Sequence, residues 1–307
     1  MSTIAADRRD RIAALGFDYA AQPKRAVESC NLCGGSEFIV LTHRDRYGYP
    51  ATSSGCARCG LVFLDPVMTQ AAYATFYVGT YRPLVSAFHG RLIDARSIQR
   101  EQREYAIERG DLLAPHVEGR RYTTLLDIGG STGVVAHAFA TRFGLEATVV
   151  DPAPLETAEA KSLGLETVEG LIESVDVGAR QFDVVVLCQT VDHLLDIAGT
   201  LHRVRDLLTP RGLLFVDIVD FRAAYLRNWA LEAAVKIDHP YYLTDSTMTT
   251  YLRRAGFEVT KTDWAADHLH VSYVAQPAMP AADALPSSGD VAALWREMRF
   301  VQNAPRA

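Results

Sequence analysis

An acid and a turn of small residues follow an apolar segment near the middle of the chain. The acid is Asp127, and the turn contains Gly129, Ser131 and Gly133 before a helical run begins at Val134. A strand, a turn of small residues and a helix form the nucleotide-binding unit of doubly wound folds, because small residues let the backbone approach the ligand. A dinucleotide fingerprint needs glycine at the first, third and sixth turn positions, and Ser131 and Val134 fill the last two. The pattern therefore favours a nucleotide ligand other than a dinucleotide.

A second acid lies at the end of the next apolar segment. Residues 147–150 are apolar apart from Thr148, and Asp151 follows them, 24 residues after Asp127. A carboxylate at the tip of a second strand can accept hydrogen bonds from both hydroxyls of a ribose. The two acids together predict a ligand that carries a ribose.

The order of these and later segments resembles that of class I S-adenosylmethionine-dependent methyltransferases. Their first turn has an acid-x-Gly-x-Gly-x-Gly pattern, which this chain matches with one miss, at Ser131. The resemblance continues with Asp151, a fourth-strand segment at 182–189, a segment at 191–196 in the place of their Leu-Glu-His, and a fifth strand at 207–216. The resemblance implies an α/β fold with a doubly wound, Rossmann-like methyltransferase sheet, closed by an antiparallel hairpin.

The same resemblance implies S-adenosylmethionine as the cofactor, bound at the strand tips. Asp151 is expected on the ribose hydroxyls, the glycine-rich turn beside the methionine portion, and the segment after the third strand beside the adenine. The expected cofactor residues are Asp127, Gly129, Gly130, Ser131, Gly133, Asp151, Pro152, Gly170, Leu171, Ile172 and Gln189. The alternative is a domain of this fold that binds another nucleotide or no ligand.

Four of the five cysteines form two Cys-x-x-Cys pairs separated by 22 residues: Cys30, Cys33, Cys56 and Cys59. Two thiolates on a tight turn can both bond one tetrahedral metal, so the pattern predicts a small zinc ribbon with four protein ligands. With no open position, the zinc would be structural. Iron at the same thiolates and disulfides are the alternatives, and disulfides fit a cytoplasmic chain poorly.

A zinc ribbon in front of such a domain is similar to methyltransferases of sugar and cell-surface polysaccharide pathways. These proteins carry a segment like Asp45-Arg46-Tyr47-Gly48 between their cysteine pairs, and aromatic residues after the ribbon. Here the aromatic residues are Tyr77 and Tyr81, which are followed by Arg82. These three side chains are expected either to cover the pocket or to pack the connector onto the sheet.

The loop at 236–244 resembles that of sugar C-methyltransferases, whose pattern is Tyr-His-Glu-His-x-x-Tyr-Phe. His239 and Tyr242 match the last His and Tyr, whereas Lys236 replaces the first Tyr and Asp238 replaces the Glu. Those enzymes also have a long extra C-terminal domain that is missing here. O-methylation of a hydroxyl, which needs fewer parts, is therefore favoured over C-methylation.

The expected catalytic residues are His239, Tyr242 and His193. A neutral imidazole is well suited to accept a proton near pH 7, so His239 is the predicted general base, with Tyr242 orienting the acceptor. Packing of the loop is the alternative role for His239, and a structural role is the alternative for His193. Asp192 and His270 are the next candidates for the base.

Composition limits the class of acceptor. The net charge is −6 and the pI about 5.9, which argues against a broad nucleic-acid surface. No apolar run approaches a membrane span, and residues 1–11 lack an apolar signal core, so a cytoplasmic protein is expected. We expect a small hydroxylated acceptor: a sugar, a nucleotide sugar or a natural-product intermediate. An rRNA methyltransferase and a non-catalytic cofactor-binding scaffold are the alternatives.

Breaks in pattern divide the 307 residues into five segments. These are an N-terminal helix and linker at 1–25, the ribbon at 26–66, a helical connector at 67–120, the cofactor-binding domain at 121–275 and a tail with a helix at 276–307. The sequence makes no prediction of oligomeric state.

Overall fold

A computed structural model describes residues 3–178 and 180–303. Outside it lie residue 179, the first two residues of the predicted N-terminal segment, and residues 304–307 at the end of the predicted C-terminal tail. The N-terminal part contains α1 (Thr3–Ala13), β1 (Lys24–Arg25), β2 (Phe38–Thr42), β3 (Ser53–Cys56), β4 (Val62–Leu64), β5 (Val67–Met68), α2 (Gln70–Gly79), α3 (Tyr81–His89) and α4 (Ala95–Val117). There follow β6 (Thr124–Ile128), α5 (Val134–Phe143), β7 (Glu146–Asp151), α6 (Pro154–Ser162), β8 (Glu166–Glu169), β9 (Phe182–Cys188), a 3₁₀ turn (Val191–His193), α7 (Ile197–Leu207) and β10 (Leu208–Val219). The C-terminal part contains α8 (Phe221–Asn228), α9 (Leu231–Ala234), β11 (Tyr241–Tyr242), α10 (Asp245–Arg254), β12 (Phe257–Trp264), β13 (His270–Pro277) and α11 (Ser288–Asn303).

The largest sheet has the strand order β12-β13-β10-β9-β6-β7-β8. Strands β10, β9, β6, β7 and β8 run parallel, and β13 is antiparallel to both of its neighbours. The central strands β6 and β9 are almost entirely buried, as expected for a parallel sheet covered on both faces. The prediction of a doubly wound sheet closed by an antiparallel hairpin is therefore confirmed.

The turn between β6 and α5 has the shape that its small residues predict. Gly129 and Gly133 both have positive φ angles, 70° and 76°. A Cβ atom on Gly129 would lie 2.4 Å from Thr190 Cγ2, and one on Gly133 would lie 2.6 Å from Leu165 Cδ1. Side chains at these positions would push the turn away from the sheet. The turn can therefore lie close to the carboxyl end of the strands.

The four cysteines lie together at one end of the sheet formed by β2, β3 and β4. Cys30 Sγ lies 3.5 Å from Cys59 Sγ, and Cys33 Sγ lies 3.5 Å from Cys56 Sγ. These separations are too long for disulfide bonds and are close to the edges, about 3.8 Å, of a tetrahedron with 2.3 Å metal–sulfur bonds. The geometry is compatible with a metal site that has four sulfur ligands.

The ribbon sheet has a fourth strand that comes from the other end of the chain. In β11, Tyr241 and Tyr242 pair antiparallel with Phe63 and Val62 of β4. The cysteines also share one continuous hydrophobic core with residues of the large sheet such as Leu187. The sequence predicts a ribbon too small for a core of its own. The structure shows that it uses the core of its neighbour.

The loop at 235–244 is held mainly by residues from the first 80 of the chain. The Arg46 backbone amide donates to Val235 O at 2.9 Å, and the Ile237 amide donates to Asp45 Oδ2 at 3.1 Å. The Tyr73 hydroxyl donates to Ile237 O at 3.0 Å. The Asp45-Arg46 segment is therefore a brace for this loop.

Helix α4 is attached to the far face of the large sheet by a buried polar cluster. Arg109 Nε donates to Asp217 Oδ1 at 3.0 Å, and Tyr105 OH donates to Asp217 Oδ2 at 2.8 Å. A buried carboxylate with several donors is stable where it lies, whereas an unpaired one would not be.

Within the described residues, no helix is long and apolar enough to cross a membrane.

We expect Asp45→Ala to lower the free energy of unfolding by about 1–3 kcal/mol, because its carboxylate accepts from three backbone amides, two of them at Tyr47 and Tyr49. Urea denaturation measures the change. Asp283→Ala, at an exposed acid, is the control and should leave the midpoint unchanged. Equal midpoints for the two variants would show that Asp45 is not a brace.

Candidate active site

A cavity of about 690 Å³ opens at the carboxyl ends of the parallel strands. This edge of an open α/β sheet is where ligands bind, and the volume suits a small-molecule site. Each strand supplies lining residues from the segment that follows it, and α2 and α3 cover the opening. Of the predicted residues, the cavity is lined by Gly129, Ser131, Asp151, Pro152, Gly170, Leu171, Ile172, Gln189, His193 and His239.

Asp151 lies at the tip of β7, with its two oxygens already oriented. Oδ2 accepts from the Ser131 amide and Oδ1 from the Ala153 amide, both at 2.9 Å. Each carboxylate oxygen can accept a further hydrogen bond, so both remain able to bind a hydroxyl. Burial raises the pKa of Asp151 to about 6, and the charge of Glu156 adds to the effect.

Asp127 lies beneath the turn and does not line the cavity. It is 1% exposed, and neither carboxylate oxygen has a hydrogen-bond partner. Burial and then the charge of Asp151 raise the pKa of Asp127 to about 7. The Ala136 amide lowers this pKa slightly, although it is not positioned to form a hydrogen bond with the carboxylate. A Cβ on Gly130 would lie 2.6 Å from Asp127 Oδ2, so Gly130 allows the turn to cover the acid. Gly133 likewise packs away from the cavity, against Ala160.

Arg82 connects α3, which covers the cavity, to the elements on its opposite side. Arg82 Nε donates to Glu156 Oε1 at 2.6 Å, and Nη2 donates to Ser131 Oγ at 3.2 Å. Tyr77 and Tyr81 also line the cavity. These contacts connect α3 to both the glycine-rich turn and α6.

His239 and Asp192 form a buried hydrogen-bonded pair at the end of the cavity. His239 Nδ1 lies 2.7 Å from Asp192 Oδ2, and the two side chains are 8% and 9% exposed. Burial tends to raise the pKa of Asp192, but the neighbouring His239 outweighs it and holds that pKa well below its usual value. An ionised Asp192 accepts the Nδ1 proton of a neutral imidazole, which leaves Nε2 as the basic nitrogen.

His193 lies beside His239, with ring centroids 4.3 Å apart, but it is in a different environment. Its Nδ1 lies 2.9 Å from the Tyr77 hydroxyl and 3.1 Å from Asp238 O. Burial, and then the charge of His239, lowers the pKa of His193 to about 4. His193 is therefore neutral near pH 7 and a weak base.

Tyr242 is hydrogen-bonded within its own loop, and its role in orienting an acceptor stays a prediction. Its hydroxyl donates to Lys236 O at 2.7 Å and accepts from the Lys236 amide at 3.0 Å. Both hydrogen-bonding directions of the hydroxyl are thus used within the loop, and Tyr242 does not line the large cavity. Its ring stacks on His239 at a centroid distance of 6.3 Å, which fixes the imidazole indirectly.

Asp192, His193 and His239 place potential ligand atoms within 4.8 Å of one another, as a divalent metal would require. Two features oppose a cation there. The Lys236 ammonium lies 3.3 Å from His239 Nε2, and His239 Nδ1 is already bonded to Asp192. The arrangement is better suited to proton transfer.

Asp192, Lys236 and Tyr77 are more important to the site than the sequence suggested. Asp192 is adjacent to His193 and was only an alternative base, yet it is the partner of His239. Tyr77 had packing as an equal alternative, yet its hydroxyl bonds both His193 and Asp238 O. The signal for Asp192 was an acid next to a histidine at the end of an apolar strand.

Comparison with known proteins agrees with the fold. The profile of a family described as a methyltransferase domain matches residues 98–262, more than half of the chain. A structure of an O-methyltransferase family protein from Burkholderia thailandensis superposes with a TM-score of 0.51 at 17% identity, covering 69% of this chain and 63% of that one.

Curated relatives match the same region. A ubiquinone biosynthesis O-methyltransferase from Methylocella silvestris is 34% identical over 137 residues, which cover 39% of this chain and 52% of the relative. The protein of the same name from Azorhizobium caulinodans is 25% identical over 153 residues, which cover 45% of this chain and 59% of the relative. The chain therefore spans only about half the length of the curated relatives it matches.

The doubly wound sheet, the ribose-type acid at the tip of β7 and the profile match agree with one another. The chain belongs to the methyltransferase domain family, and residues 98–262 form a class I S-adenosylmethionine-dependent methyltransferase domain.

Proposed function

We propose that this enzyme methylates a hydroxyl oxygen of a small acceptor, with His239 as the general base and Asp192 as its orienting partner. The observation that carries the proposal is the buried Asp192–His239 pair at the end of the cofactor cavity. A sugar, a nucleotide sugar or a related natural-product intermediate is the favoured acceptor. Curated relatives named as O-methyltransferases support oxygen as the atom that is methylated.

The residues present suit the cofactor. The two oxygens of Asp151 can receive the ribose hydroxyls, and the unpartnered carboxylate of Asp127 lies under the turn. Gly170, Leu171 and Ile172 line the cavity and are the proposed contacts of the adenine, and Gln189 and Pro152 line the same cavity. When bound, the cofactor supplies a methyl group on a positively charged sulfur and so needs no further activation.

The protein must therefore position the acceptor and remove its proton. His239 lines the cavity and is the proposed acceptor of that proton, at Nε2, once Lys236 Nζ, 3.3 Å away, no longer donates to this nitrogen. Ionised Asp192 stabilises the imidazolium that results. His193, kept neutral by burial, is placed to contact the acceptor without competing for the proton. The Tyr77 hydroxyl holds His193 and the Asp238 carbonyl in register.

The acidic chain supports a small acceptor over rRNA. The buried, hydrogen-bonded pair of His239 and Asp192 supports an enzyme over a scaffold that only binds the cofactor. The same four thiols support a zinc ion as the group that holds the ribbon, because the ligand set is closed and the sulfurs are at tetrahedral spacing. Four cysteines grouped as ligands of one metal ion, instead of paired in disulfides, also support a cytoplasmic location.

Affinity for S-adenosylhomocysteine should depend on pH through Asp151. Only the ionised carboxylate accepts from both ribose hydroxyls, so affinity should be insensitive to the titration of Asp151 above about pH 7. It should fall below pH 6, approaching about tenfold per pH unit. Calorimetry from pH 5 to 8 tests this.

Asp151→Asn should bind about 1–3 kcal/mol more weakly at pH 8, because the amide accepts fewer hydrogen bonds. It should also lose the part of the pH dependence that Asp151 causes, whereas Asp127 would still titrate. Asp283→Asn is the control. If parent and Asp151→Asn profiles are parallel between pH 5 and 8, Asp151 does not bind the ribose.

His239→Ala should lower the maximal rate of methyl transfer by about 10²–10⁴ while affinity for S-adenosylhomocysteine stays the same. The assay is transfer of radiolabelled methyl groups to nucleotide sugars, small hydroxylated metabolites and RNA. Asp192→Asn should also slow transfer, because the imidazole loses its orienting anion. His268→Ala, at an exposed histidine, is the control. A folded His239→Ala enzyme with more than a tenth of the parent rate would mean that another group takes the proton.

Elemental analysis of freshly purified, reduced protein should find one zinc per chain. Cys33→Ser should lose the metal and melt at a lower temperature, because metal binding contributes to folding. Cys188→Ser, at the cysteine outside the cluster, should retain the zinc. Parent protein that contains no metal when freshly purified and reduced would refute the zinc site.

A further inference from the structure

A second, smaller chamber adjoins the cofactor cavity. It has a volume of about 170 Å³ and shares Asp192, Val219, Lys236 and His239 with the larger cavity. A ligand in the chamber would therefore touch the predicted base. The volume is similar to that of an engineered cavity of roughly 150 Å³ that holds benzene, so it suits one ring or one compact substituent.

Two basic side chains line this chamber, Lys236 and Arg46. The hydrogen-bond partner of the Lys236 ammonium is His239 Nε2, at 3.3 Å. Arg46 Nη2 donates to the Tyr47 hydroxyl at 2.9 Å, but its Nε is buried with no hydrogen-bond partner. Donors on enclosed cations are costly to leave unpaired.

The nearby carboxylates do not pair with these cations. Asp192 is bonded to His239 at 2.7 Å, and Asp238 Oδ2 lies 3.3 Å from His239 Nε2. In the part of the chain that the structure describes, no ion pair within 4.0 Å joins Lys236 or Arg46 to an acid. Burial, and then the charge of Arg46, lowers the pKa of Lys236 to about 8 in spite of both acids. Neither cation therefore has a direct acidic partner, while the ionised Asp192 that lines the same chamber is bonded to His239.

The other walls are mostly apolar. They include Phe221, Leu243 and Leu269, together with small residues of α8 and α9. A site with apolar walls and two cations at one side suits a compact group that carries negative charge on oxygen. A neutral polyol would leave the donors of both cations underused.

We propose that the chamber is a subsite for an anionic group of the acceptor, a phosphoryl group or a carboxylate, held by Lys236 and Arg46. A hydroxyl of the same molecule then reaches His239 Nε2 across the shared wall. This inference rests on the proposed function and narrows its acceptors to those that carry an acidic group near the methylated hydroxyl. It also gives a role to Lys236, which stands where the resembled sugar C-methyltransferases have tyrosine.

The test is calorimetric titration of the full-length protein, loaded with S-adenosylhomocysteine, with inorganic phosphate and separately with benzoate. We expect saturable binding of at least one anion. Tighter binding of phosphate would identify a phosphorylated acceptor, and tighter binding of benzoate a carboxylated one. Lys236→Met should weaken binding by about tenfold or more, as expected for loss of a charge-assisted hydrogen bond. Lys261→Met, at an exposed lysine, should bind like the parent.

Arg46→Gln is a second variant in case Lys236→Met does not fold. It keeps the backbone amide that bonds Val235 O and removes the charge, so it should also weaken anion binding. If neither anion binds, or if all variants bind like the parent and the signal reports an adventitious ion only, the proposal is overturned.

Cofactor binding in the same samples separates the two proposals. Normal affinity for S-adenosylhomocysteine without anion binding would overturn the subsite alone. If the parent protein did not bind S-adenosylhomocysteine, the proposed function would be overturned. Titration of the cofactor-free protein would still measure anion binding in the chamber.

Discussion

The pairing of β11 with β4 is the interaction on which the rest of the site depends. Two residues, Tyr241 and Tyr242, complete the ribbon sheet, and the loop before them carries His239. The loop has little regular structure of its own, so its backbone polar groups must be satisfied by other segments. The ribbon and α2 supply those partners at Val235, Ile237 and Pro240. The ribbon near one end of the chain thereby fixes the position of His239, about 180 residues further along.

Two neighbouring histidines show how environment separates similar side chains. His239 Nδ1 lies 2.7 Å from the carboxylate of Asp192. His193 is bonded to a phenol and a carbonyl, and burial keeps it neutral. The rings are only 4.3 Å apart, so protonation of both at once would be costly. The site thus distinguishes one base from one neutral partner by what each Nδ1 atom contacts.

Local patterns predicted most of the large sheet. Apolar segments, turn residues and the acid at each strand tip are readable within about ten residues, and the resemblance supplied the strand order. The same patterns indicated the Cys-x-x-Cys pairs and the acid at Asp151, because these features depend on short spacing.

Partners far apart in sequence could not be predicted in this way. Asp45 bonds Ile237 across 192 positions, and no local pattern connects them. The contacts of the Tyr242 hydroxyl were unpredictable for the same reason, because they depend on how its own loop folds back. The partnership of Asp192 with His239 required the loop and the 3₁₀ turn to meet in space.

The side chain of Asn31, between the first two cysteines, has a consequence for biosynthesis. Its amide nitrogen donates to Asp196, and its oxygen accepts from the Ala198 amide and the Tyr251 hydroxyl. These partners, like β11, leave the ribosome some 160 to 220 residues after the ribbon. The ribbon therefore cannot complete its contacts until Tyr251 has emerged from the ribosome. Contacts between residues so far apart in sequence form slowly, so the apolar face of the ribbon stays exposed until its partners have been synthesised.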